Sequence, residues 1–115
     1  MARGWATMTG DHMADDRDGL TAALAALQPE IRAMLAEDLP VDRQRCEEAF
    51  AAKRWGQLRE QVHRIKGSAQ FCRLDALCQV CLRIEERAGA DTAPEHADMV
   101  AFSAEVGRVL AAIGA

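Results

Sequence analysis

Tyrosine is missing from this chain, aromatic residues make up only 4% of it, and proline occurs three times. Val and Ile are also sparse beside the abundant Ala and Leu. Sheets draw on β-branched and aromatic side chains, so this shortage argues against a β-rich fold and for packed helices. Long apolar runs are lacking too. No stretch reaches the roughly 20 residues of a membrane helix, and the opening MARGWATMTGDHMADDRD has no apolar segment long enough for a signal peptide. A cytoplasmic protein without membrane contact is expected, and 115 residues suffice for one domain with one core.

Positive charge is in deficit overall, with a net charge of −4. Its distribution says more than the total. Between Lys53 and Arg73 six basic residues (Lys53, Arg54, Arg59, Arg64, Lys66 and Arg73) face Glu60 alone, a local +5 that leaves −9 for the rest. A nucleic-acid binder needs a basic face over the whole module, so that class is excluded, whereas a small basic segment suits a smaller anionic partner. A Gly-rich nucleotide loop and a second domain are both missing, so the chain is not a complete kinase.

Cysteine is present four times, as Cys46, Cys72, Cys78 and Cys81, all within amphipathic patterns where a reduced thiol packs as a small core residue. Cys78-x-x-Cys81 invites a zinc or redox reading. No second such pair accompanies it, however, and positions three apart on an apolar helical face point to packing. His12 and His96 stand apart from any second ligand, so no metal site is expected.

Residues 1–17 lack periodicity and read as a flexible leader, with the folded domain over 18–115. Asp18 is placed to cap a first helix carrying Leu20, Leu24 and Leu27. Pro29 fits the first turn of the next helix, which continues through Ile31, Met34, Leu35 and Leu39. Leu39-Pro40 is expected to end or bend it, with a separate helix from about Pro40 to Ala52. From Trp55 the apolar residues Trp55, Leu58, Val62, Ile65, Ala69 and Cys72 recur at spacings of three and four, the best-defined seam in the chain. After a turn near Arg73, helices follow from about Leu74 to Arg87 and from about Pro94 to Ile113, separated by the turn-rich Gly89–Pro94 stretch. The expected fold is all-α: an up-and-down antiparallel four-helix bundle with an additional N-terminal helical segment.

At about 100° per residue, His63 lies roughly 140° from the centre of the Trp55–Cys72 seam and should face water. Gly67, Gln70 and Arg59 share its face, and Lys66 stands on the flank. A lone surface histidine would mean little, but these neighbours have chemistry in common. A neutral imidazole nitrogen is a competent nucleophile near neutral pH, and a phosphoryl group on it is labile enough to be handed on. Lys66 can set an ammonium beside phosphoryl oxygens. Gly67 removes the side chain that would stand in front of His63, at a helix cost of about 0.5–1 kcal/mol that calls for a steric reason. Glu60, Arg59 or Gln70 are candidates to orient the ring.

The string Val62-His63-Arg64-Ile65-Lys66-Gly67-Ser68-Ala69, with Trp55-Gly56-x-Leu58 upstream and Leu74 and Leu77 downstream, resembles the histidine-containing phosphotransfer (Hpt) family over roughly residues 29–113. The resemblance implies a phosphorelay intermediate, a phosphocarrier rather than an enzyme. His63 would take a phosphoryl group from a receiver-domain aspartate of a hybrid sensor histidine kinase or response regulator, and pass it to another receiver. Lys66 corresponds to the lysine that helps hold the phosphoryl group, Gly67 to the glycine giving access, and Ser68 to a small polar residue, here read as packing rather than catalysis. The chain itself would need no cofactor, Mg²⁺ arriving with the receiver, and would be a monomer. One departure stands out: Arg73 occupies a position where many members carry a turn glycine, so it must adopt either an ordinary turn or a left-handed conformation.

Two other functions fit parts of the pattern. The same helical face could dock on a receiver or kinase domain and regulate it without taking phosphate. Alternatively, Cys78 and Cys81 could make the chain a metal-regulated helical protein.

Overall fold

A computed structural model describes residues 19–89 and 92–114. The expected leader, His12 and the Asp18 cap lie outside these residues. Residues 19–25 are helical (α1), followed by α2 (Pro29–Ala51), α3 (Trp55–Phe71), α4 (Asp75–Gly89) and α5 (His96–Gly114). α2 packs on α3, α3 on α4, α4 on α5 and α5 back on α2, closing a four-helix ring in which short connections make neighbours antiparallel. α1 is the additional N-terminal segment, adding Leu24 to the core. Arg32 holds it in place by donating to the carbonyls of Leu24 at 3.1 Å and Leu27 at 2.8 Å, partners that helix-end carbonyls otherwise lack.

The expected break at Pro40 does not occur: α2 runs through it as a single helix of 23 residues. Pro40 cannot donate to the Ala36 carbonyl one turn back, a local cost that in isolation breaks helices. Here Leu35 and Leu39 before it and Cys46 and Ala49 after it are all buried in one core, so tertiary packing keeps the two halves in one helix. Pro29, by contrast, occupies the first turn of α2 as expected.

The seam read from sequence is the spine of the core. Leu58, Val62, Ile65, Ala69 and Cys72 are buried, meeting Leu77, Cys81 and Ile84 of α4 and Phe102, Val106 and Val109 of α5. No buried residue among those described is polar or charged, so hydrophobic burial dominates. Trp55 is half-buried with its ring edge-on to Phe50 at 5.7 Å, where α2 turns into α3.

Both tight turns end helices in the same way. Lys53 (φ 57°) and Arg73 (φ 60°) adopt the left-handed conformation. The next residue bonds back across the turn, Arg54 N–H to the Ala49 carbonyl at 2.9 Å and Leu74 N–H to the Ala69 carbonyl at 2.8 Å. A second bond, spanning three residues, from Lys53 N–H to the Phe50 carbonyl and from Arg73 N–H to the Gln70 carbonyl, completes a Schellman cap at each site. Of the two conformations open to Arg73, the chain uses the left-handed one.

Candidate functional site

The α3–α4 hairpin sets the register of the site. With its turn at Arg73 and Leu74, Arg59 comes opposite Gly89, His63 opposite Glu85, and Lys66 beside Cys78. His63 projects from the outer face of α3 with its side chain 69% exposed, as its angle from the seam requires. Its ring does not bond to Glu60, Arg59 or Gln70, the candidates on its own helix. Glu85 of α4 takes that role: its Oε2 lies 2.5 Å from His63 Nδ1, while its Oε1 accepts from Lys66 Nζ at 2.5 Å. One carboxylate thus ties both residues together.

Sequence reasoning missed Glu85 because it lies 22 residues from His63. A signal was present. Reflecting His63 through a turn at Arg73 and Leu74 lands on residues 83 to 85, and Glu85 is the carboxylate among them, beside the buried Ile84.

Electrostatics fix the state of this group. Partial burial pushes the Glu85 carboxyl up, but the hydrogen bonds from Lys66 and His63 outweigh it and leave the group below its ordinary 4.5. Glu85 is therefore an ionised, acceptor-only partner near neutral pH. Nδ1 of the neutral imidazole must carry the ring proton to donate to it, which leaves Nε2 with a free lone pair. Lys66, with only 16% of its side chain exposed, is held at the flank of the ring rather than trailing in solvent.

The remaining sequence candidates divide. Gly67, one turn after His63, is exposed, and a Cβ built on it meets nothing within 4 Å. The chain's own packing therefore does not require a glycine there. Arg59 is exposed and lies over Gly89, its Cδ 3.4 Å from where a Cβ would stand. It borders a groove of about 640 Å³ whose lining also includes His63, Arg64, Glu85 and Gly89. Gln70 is exposed on the same face. Ser68 is also exposed, not packed, and at roughly 140° around α3 from His63 it faces away from the ring.

Cys78 and Cys81 are free thiols in different surroundings. Burial pushes the Cys81 thiol up to about 12, with the neighbouring thiols and Glu85 adding to the shift, whereas Cys78 is half-buried with its Sγ 3.9 Å from the Lys66 carbonyl. No group of three or more metal-capable side chains occurs among the described residues. His96 is exposed at the start of α5.

The exposed histidine, the bridging carboxylate and the flanking lysine thus sit together on one face of a helical bundle, and comparison with known proteins places the bundle in a family. The family model described as "Hpt domain" matches residues 30–113. The chain belongs to the Hpt family. Hpt domains are phosphotransfer modules rather than kinases, and serve two-component phosphorelays. A sensor histidine kinase, GacS of Pseudomonas protegens, is 32% identical to this Hpt chain over 92 residues, covering 80% of the chain but 10% of the relative. The chain therefore spans about a tenth of that kinase's length. No solved structure matches the chain. Among the described residues of this Hpt domain, no helix is long and apolar enough to cross a membrane.

Proposed function

We propose that His63 Nε2 is the phosphoacceptor of a phosphorelay step, taking the phosphoryl group from a receiver-domain aspartyl phosphate and passing it to a second receiver. The observation that carries this reading is the Glu85 bridge, which fixes the Nδ1 proton and presents the Nε2 lone pair to solvent.

The step balances without a proton leaving the ring. The Nε2 lone pair attacks phosphorus, an N–P bond forms, the P–O bond to the aspartate breaks, and the aspartate departs as a carboxylate. The ring, still protonated at Nδ1, becomes an N-phosphorylated imidazolium whose positive charge faces the Glu85 carboxylate. Lys66 Nζ, held beside the ring, offsets charge on the phosphoryl oxygens. Transfer onward is the reverse with a different carboxylate. Mg²⁺ belongs to the receiver's side of the complex, and the chain works as a carrier.

Incubation with radiolabelled, phosphorylated receiver domains tests the reading. Label is expected on the native chain and not on His63→Gln. Label on His63→Gln, or on neither chain while both still bind the receiver, would favour a docking module that takes no phosphate.

A further inference from the structure

The core of this bundle is complete without Phe71. Its side chain is 73% exposed, more than any other large apolar residue among those described. Phe71 follows His63 by eight residues on α3, which places it about 12 Å along the helix axis and roughly 80° around it. Gly67 lies midway between them and puts no side chain in the way. On α4, Leu82 is also partly exposed at 37%. It follows Cys78 by four residues and precedes Glu85 by three, so it shares the face of α4 that meets Lys66 and His63. Phe71 thus lies on one side of His63, continuing the open strip begun by Gly67, whereas Leu82 lies on the other side with Lys66 and the groove near Arg59 and Gly89.

Geometry limits what can cover this strip. A protein interface of ordinary size covers about 800 Å² on each partner, a disc of roughly 16 Å radius. A receiver that brings an aspartyl phosphate onto Nε2 is centred near His63, and Phe71 falls within its footprint. Met34 and Val41 on α2 and Val100 on α5 are exposed apolar residues on other helices. We infer that Phe71, at the far end of the strip from His63 across Gly67, is an anchor on which the phosphodonor receiver docks, through an apolar patch bordering that receiver's acidic pocket. The inference rests on the reading of His63 as the phosphoacceptor. An aromatic side chain covered on docking buries a large apolar area, and the bare Gly67 backbone lets the partner come close enough to cover the ring.

Two assays separate this inference from the reading beneath it. In the first, phosphoramidate, a donor too small to touch Phe71 while reacting at His63, labels the chain. In the second, the label comes from whichever receiver domain of the source organism transfers fastest to the native chain. Phe71→Ala is expected to label normally with phosphoramidate but to need about 10- to 30-fold more receiver for half-maximal transfer, with Phe71→Leu intermediate. Val100→Ala should change neither assay. An unchanged receiver requirement for Phe71→Ala overturns the inference, and so does an equal loss in both assays, which would make Phe71 a support of His63 itself. Labelling of His63→Gln by either donor would instead overturn the phosphoacceptor reading.

Discussion

At the scale of single residues, Glu85 links the chemistry of His63 to the fold. It fixes the tautomer and faces the positive charge that phosphorylation creates, so its removal should slow transfer from every donor, large or small. For Glu85→Ala, a fall of about tenfold or more in labelling by phosphoramidate is expected, since a positioned proton partner contributes on the order of 10²-fold or more. Glu85→Gln, which keeps a carbonyl acceptor for Nδ1, should lose less, and equal rates for all three chains would contradict the assignment. The same group makes stability depend on pH. Its native value lies below the ordinary 4.5, so its contribution is full above that value and is lost as pH falls through the lowered one. Denaturant titrations should show wild type more stable than Glu85→Gln near neutral pH, with the gap closing as pH falls below the ordinary carboxyl value and through the lowered one. A gap independent of pH would count against the bridge. Gly67 gives the opposite balance of stability and function. Because a Cβ there meets nothing, Gly67→Ala should raise stability by about 0.5–1 kcal/mol, while the bulkier Gly67→Gln should keep the fold and hinder transfer from a receiver.

At the scale of elements, two features run against local preference. Arg73 holds a left-handed conformation that costs a side-chain-bearing residue about 1–2 kcal/mol relative to glycine. Arg73→Gly should therefore raise the thermal midpoint, by somewhat less than that energy because glycine also loosens the unfolded chain. No rise on calorimetry would show that the Schellman turn relieves the strain in another way. The unbroken passage of α2 through Pro40 depends on packing on either side, and this is where the sequence misled. A proline's effect on its own turn can be read locally, whereas burial of Leu35, Leu39, Cys46 and Ala49 in one core is a property of the assembled bundle. The α3 seam was legible because its period alone decides which residues face inward. Glu85 was not, since its pairing depends on the register of two helices, and that register follows from the conformation of the turn at Arg73.

Over the whole molecule, charge is divided between a basic α3 segment and an acidic remainder, in a chain of net charge −4. The basic rim around His63 should speed encounter with an acidic receiver pocket. Transfer at limiting receiver concentration is therefore expected to slow severalfold between about 0.05 and 0.5 M salt, where the screening length falls below the size of the interface. Labelling by phosphoramidate should respond far less, and equal sensitivity would point to a salt effect on the site rather than on docking. Composition made the helical class legible from the start, and the His63 face followed from helical geometry; the bridge emerged only once α3 and α4 were set side by side. The central claim is that the phosphoryl group resides on Nε2 of His63 while Nδ1 keeps its proton against Glu85. Nitrogen-15 and phosphorus NMR of the phosphorylated chain, labelled at its three histidines, reads this directly. The account predicts a single phosphorus-coupled nitrogen, Nε2 of His63, with Nδ1 still protonated; coupling at Nδ1, at His12 or at His96 would contradict it.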